Sequence, residues 1–172
     1  MEMVEMVETP LKSHADIVSH FMSRGEPVRV EDAIRALGIN YRPVAMPDGY
    51  SGKIERDGDN FTIFVNTTES PVRQRFTAAH ELSHFLLHRD LLVHSHADRL
   101  FDPDPATNPP APFTRQHEYQ ANNMAANILM PRSRVEHRAM QGRSLAQLAR
   151  DFDVSPVSMR IRLQALGLPV ND

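Results

Sequence analysis

Residues 80–84 read His-Glu-Leu-Ser-His within the stretch "FTAAHELSHFLLH". On a helix, two histidines four residues apart lie about 40° apart around the axis, so both rings can address one point. A hydrolytic zinc site takes three protein ligands and keeps one position open for water. His80 and His84 would supply two of the three. Glu81 falls beside such a metal rather than on it, where a carboxylate can take a proton from an activated water. The pattern alone does not decide the matter. With 9 histidines in 172 residues, composition generates His-Glu-x-x-His by accident with roughly a 3% chance. The plain alternative is two histidines and a glutamate decorating a surface helix.

A third ligand is what that plain alternative does not supply. Downstream, "RQHEYQANNMAANILMP" places Glu118, Ala121, Asn122, Ala125 and Leu129 on one continuous helical stripe. The stripe carries a carboxylate and a carboxamide on one face, with alanines small enough to let a second helix pack closely. Glu118 is the candidate third ligand. Asn122, one turn later, is placed to accept a hydrogen bond from the outer nitrogen of a ligating histidine. Such a His₂Glu set accepts Zn2+ and also Mn2+ or Fe2+.

"RFTAAHELSHFLLH", followed by "HEYQANNMAANILMP" with Glu118 placed 34 residues after His84, resembles the ImmA/IrrE family of metallo-endopeptidases. The resemblance runs from about Gly49 to Leu168 and includes the strand before the first helix and the tail "VSPVSMRIRLQALGL". It implies a gluzincin-type zinc peptidase, with His80, His84 and Glu118 as ligands and Glu81 as general base. One departure is visible: the family's second helix often reads E-x-E-A-N, and Gln120 stands at the second acidic position. The resemblance further implies that the strand near Phe61 to Val65 borders the cleft, where an extended substrate would pair with it. It also implies a protein substrate, a helix-turn-helix repressor in a bacterial or mobile-element stress or induction circuit.

Other polar residues have plainer readings. His117 points about 100° away from Glu118 and is expected to face solvent. His88 is expected to cap or pack at the helix end, and His94 and His96 to sit in a solvated loop. Tyr119 and Tyr50 are both candidates for the donor that stabilises a transition-state oxyanion, and the sequence does not choose between them. Arg73 and Arg75 read as surface charges.

The elements that must position these groups follow from periodicity and punctuation. Helices are expected at Leu11 to Arg24 and Val30 to Leu37, the second closed by Gly38. "YSGKIERDGDNFTIFVN" reads as a hairpin turning at Asp57-Gly58-Asp59-Asn60. Ser70 caps the His-Glu-x-x-His helix, with Pro71 at its first position. Residues 102–112, with five prolines, read as a surface loop. A helix resumes near Thr114 and stops at Pro131. The tail forms two short helices, Ser155 capping the second.

The fold class expected is α+β: a mostly helical, zincin-like domain over 1–140 with a small antiparallel sheet, and helix-turn-helix-like helices over 141–172 packed on it. The chain has no cysteine, so thiolate catalysis and disulfides are excluded and any metal is held by His, Asp or Glu. A net charge of −3 gives no overall footprint for nucleic acid. The start "MEMVEMVETP" lacks a basic, apolar leader, and no stretch is long enough to cross a bilayer. A cytoplasmic protein without membrane contact is expected. The alternative class is a DNA-binding or toxin–antitoxin regulator with a structural or vestigial metal. In that reading Leu145, Leu148 and Ala149 pack one tail helix, Val157, Ile161 and Leu166 the other, and Arg150, Arg160 and Arg162 meet DNA. The run Met159, Ile161 and Leu163 argues instead for a buried second helix. Oligomeric state is not legible.

Overall fold

The computed structural model describes residues 13–92, 95–99 and 112–172. Helix α1 (His14–Ser23) starts at a reciprocal cap: the Ser13 hydroxyl accepts from the Asp16 N–H, and the Asp16 carboxylate accepts from the Ser13 N–H. Leu11, the expected start, lies outside the described residues. Helix α2 (Val30–Ala36) ends at Leu37, and Gly38 follows at φ 78°.

Four strands form one sheet in the order β1-β3-β2-β4. They are β1 (Asn40–Val44), β2 (Tyr50–Asp57), β3 (Asn60–Asn66) and β4 (Ser95–Arg99). β2 and β3 form the expected hairpin, closing on Gly58 at φ 61° and Asp59, with Asp57 opposite Asn60. β1 runs parallel to β3, so the sheet is mixed rather than antiparallel. β1 escapes sequence reading because it is largely exposed, without alternation, and carries Pro43. A proline is tolerated there because β1 is an edge. β3 is paired on both sides, so no substrate strand can add to it. The expectation that an extended substrate would pair with Phe61 to Val65 is therefore incorrect. His96 belongs to β4, opposite Ile54, rather than to a loop, while His94 lies outside the described residues. So does the proline-rich loop, apart from its last residue.

Helix α3 (Pro71–His88) begins as expected, with the Ser70 hydroxyl accepting from the Arg73 N–H. Ala78, Ala79 and Leu82 are fully buried in the same core as Ile54, Ile63 and Val65 of the sheet. Helix and sheet meet closely at Gly52. A Cβ there would lie 2.5 Å from both the Phe64 carbonyl oxygen and Thr77 Cγ2. A single 3-10 turn follows (Arg89–Leu91). Helix α4 (Arg115–Leu129), capped by Thr114, packs along α3 more extensively than any other described helix pair. Ala121, Ala125 and Leu129 are fully buried, as the stripe requires.

Helix α5 (Arg132–Met140) was not expected from the sequence. Only Val135 is buried, and Arg134 and Arg138 reach the enclosed Glu26 carboxylate instead. Helices α6 (Leu145–Phe152) and α7 (Pro156–Ala165) flank Asp153, which takes a left-handed φ of 53°. In α7 the buried residues are Met159 and Leu163. Val157 and Ile161 are 67% and 61% exposed, which corrects both readings of that helix. Positions 159 and 163 form one face, and 157 and 161 project from another.

Arg75 is no surface charge. Its side chain, 14% exposed, donates to the carbonyls of Val28, Phe152 and Asp153 and pairs with the Asp153 carboxylate at 3.2 Å. Burial lowers its pKa, and the Asp153 charge opposes that shift. Arg73 is also engaged, donating to Ser51 Oγ at 3.1 Å beside Glu69. Among the described residues no helix is long and apolar enough to cross a membrane.

Candidate metal centre

α3 and α4 present three ligand atoms to one point. His80 Nε2 and His84 Nε2 are 3.1 Å apart. Glu118 Oε2 lies 3.1 Å from His80 Nε2, and Glu118 Oε1 lies 3.3 Å from His84 Nε2. A tetrahedral ion with nitrogen and oxygen ligands at about 2.0–2.1 Å holds them about 3.3 Å from one another. His80 and His84 are buried, whereas the Glu118 side chain is 22% exposed, so the open side lies toward Glu118.

For neutral imidazoles the partners of the outer nitrogens select the ring tautomers. His80 Nδ1 faces Asn122 Oδ1 at 2.9 Å. Because an amide oxygen only accepts, the proton sits on Nδ1 and Nε2 keeps its lone pair. On the other side, Gln120 Oε1 is 2.8 Å from His88 Nε2, and His88 Nδ1 is 2.9 Å from His84 Nδ1. Gln120 accepts from His88, so His88 Nδ1 accepts from His84, and His84 Nε2 also presents a lone pair. With both rings neutral, as metal ligands are, two lone pairs and a carboxylate converge on one point. That arrangement repels itself unless a cation lies among them, which is the fit a divalent metal requires. His80, His84 and Glu118 are the described residues that could hold one.

The remaining residues divide as follows. Glu81 is on α3 and fully buried. Asn122 is where the stripe put it. His88 packs, as expected, but as the buried partner of His84. His117 does not face solvent: it is half-buried, its Nδ1 accepts from the Thr114 N–H, and its ring meets His88 edge-on at 4.8 Å. Capping the helix start turns it inward. Tyr119 is 68% exposed beside Glu118, and Tyr50 opens β2 half-buried. Sequence reasoning missed Phe113, whose buried ring stands edge-on to His84 at 5.0 Å. It also missed the link from His88 to Gln120. The four-residue rhythm His80, His84, His88 was the available signal.

Comparison with known proteins agrees with this geometry. A family model described as the IrrE N-terminal-like domain matches residues 35–164. The chain belongs to the ImmA/IrrE family of metallopeptidases. Within that family it is 34% identical over 132 residues to the radiation response metalloprotease IrrE of Deinococcus deserti, covering 71% of this chain and 41% of the relative. The IrrE of Deinococcus radiodurans is 31% identical over 135 residues, covering 73% of this chain and 36% of the relative. The ImmA/IrrE chain described here thus spans less than half the length of these curated relatives. A Mycobacterium tuberculosis transcriptional regulator shares its fold, with a TM-score of 0.58 at 17% identity over 88% of this chain and 46% of the other.

Proposed function

We infer that the protein is a zinc-dependent endopeptidase, with His80, His84 and Glu118 as metal ligands and Glu81 as general base. The observation that carries this reading is the convergence of three ligand atoms at 3.1–3.3 Å, two of them nitrogens of rings whose outer nitrogens are also engaged. A zinc ion held there supplies Lewis acidity toward water and a peptide carbonyl. Glu81 takes the proton from the attacking water and passes it to the leaving amine. Asn122 and His88 hold the ligating rings in the required tautomer and orientation. Phe113 walls His84 from solvent. Tyr119 and Tyr50 stay as candidates for the oxyanion donor, Tyr119 by its place next to Glu118.

The substrate proposed is a helix-turn-helix repressor, cleaved in a stress or induction circuit. Two relatives bear the name radiation response metalloprotease, and a fold neighbour is named a transcriptional regulator. Residues 141–172 are taken as an extension packed on the peptidase unit, held by Arg75 from α3 and by Arg162, which donates to the Met130 carbonyl. A DNA-reading tail is less well supported: the exposed edge of α7 carries Val157 and Ile161, Arg162 turns inward, and Arg160 pairs with Asp172.

The test incubates zinc-loaded protein with purified helix-turn-helix repressors from the same genome. Cleavage by the parent and none by Glu81→Gln at equal zinc content supports the reading. Intact repressors together with a salt-dependent shift of duplex DNA would favour the regulator.

A further inference from the structure

A cavity of about 450 Å³ lies between α3, α4 and α7. That is within the roughly 300–1,000 Å³ of small-ligand sites. Val72 and Phe76 line it from α3, Ala126 from α4 and Met130 just past the end of α4, and Ile161 and Ala165 from α7. It meets the surroundings of the candidate metal centre at Asn122, while His80, Glu81, His84 and Glu118 are not among its lining residues. Phe76 precedes His80 by one helical turn, and Asn122 follows Glu118 by one turn. Asn122 belongs to both places, since its Oδ1 takes the His80 proton while the residue walls the cavity.

The lining decides the occupant. Two guanidinium groups reach this cavity, but neither is uncommitted. Arg162 donates to the Met130 carbonyl at 2.9 Å and to Asn127 Oδ1 at 3.2 Å. Arg73 is engaged by Ser51 and lies beside Glu69. An acidic group would therefore compete with bonds already made. Apolar surface, by contrast, is left uncovered: Ile161 is 61% exposed although its neighbours Met159 and Leu163 are fully buried. Covering such surface is favourable, because it removes apolar area from water.

We propose that this cavity is the subsite for a large apolar side chain flanking the scissile bond of the substrate polypeptide, with α7 as its outer wall. The proposal rests on the peptidase reading and narrows its substrate to segments bearing an aliphatic or aromatic residue there. It also makes the C-terminal helices part of substrate recognition, because without α7 the cavity has no outer side.

The test has two arms. In the first, the full chain with ¹³C-methyl-labelled isoleucine is titrated with N-acetyl-leucinamide, with and without zinc. The Ile161 methyl signal is expected to shift saturably, and the shift to vanish in Ala165→Trp, which fills the cavity from an exposed position. N-acetyl-aspartamide is expected to leave the signal unmoved. In the second arm, zinc-loaded parent, Ala165→Trp and Ile161→Ser digest a mixed peptide library, and the cleaved bonds are mapped by mass spectrometry. A preference for a large apolar residue at one fixed position, weakened at least tenfold in both variants at unchanged zinc content, supports the subsite. Cleavage with the same preference in all three proteins, or an Ile161 signal that never responds, overturns it while leaving the peptidase reading intact. A saturable Ile161 response from a zinc-loaded protein that cleaves nothing removes the peptidase reading and, with it, the cavity's role as a subsite.

Discussion

The Nδ1 atoms of His84 and His88 lie 2.9 Å apart, and the far nitrogen of His88 meets the Gln120 amide oxygen at 2.8 Å. A hydrogen-bonded relay therefore runs from the exposed Gln120 on α4 through buried His88 to a candidate ligand on α3. For neutral rings its direction is set at Gln120, whose amide oxygen can only accept.

His88→Ala is expected to weaken zinc affinity by roughly 10–100-fold, because the His84 ring loses its orienting acceptor. Asn122→Leu should do the same through His80. Asn122→Asp and Gln120→Glu retain the acceptor oxygen and should hold affinity near the parent's. Competition against a chromophoric chelator measures all four. Parent-like affinity in His88→Ala would mean the relay is packing alone.

Zinc should stabilise the fold. At a hundredfold excess over the dissociation constant, binding contributes about 2.7 kcal/mol. The melting temperature of chelator-treated protein is expected to rise on adding zinc, and not to rise in a double variant lacking His80 and His84.

Arg75 ties α3 to the segment before α2 and to the α6–α7 corner through three carbonyls and Asp153. Removing it leaves those acceptors inside without a donor. Arg75→Ala is expected to lower unfolding free energy by about 2–4 kcal/mol in urea titrations. Lysine should not rescue it, since one ammonium cannot reproduce a planar fork.

At Gly52 any side chain meets the Phe64 carbonyl and Thr77 at the foot of α3. Gly52→Ala is expected to destabilise by about 1–3 kcal/mol, as overpacking does. Unchanged stability would show that the sheet and α3 separate more easily than their packing implies.

What the sequence made legible follows from where the information is local. α3 and α4 announce themselves through Ser70, Pro71 and the alanine stripe, so His80, His84, Glu118 and Asn122 were all placed before any fold was known. The relay through Gln120 was not legible, because it depends on how far α4 slides along α3. β1 was missed because an exposed edge strand with Pro43 has no buried face to show. α5 was missed because its anchor is the distant Glu26 rather than an apolar stripe. Arg75 was misread for a similar reason: its partners are carbonyls 47 to 78 residues away, and backbone acceptors leave no trace in a sequence.

The central claim is that two histidines and a glutamate hold one metal while Glu81 acts on water beside it. The measurement that bears on it most directly is zinc per chain in the purified parent, Glu118→Ala and Glu81→Gln. One zinc in the parent, retained in Glu81→Gln and lost from Glu118→Ala, is the expected result. A parent that holds no zinc and takes up none on titration would contradict the claim.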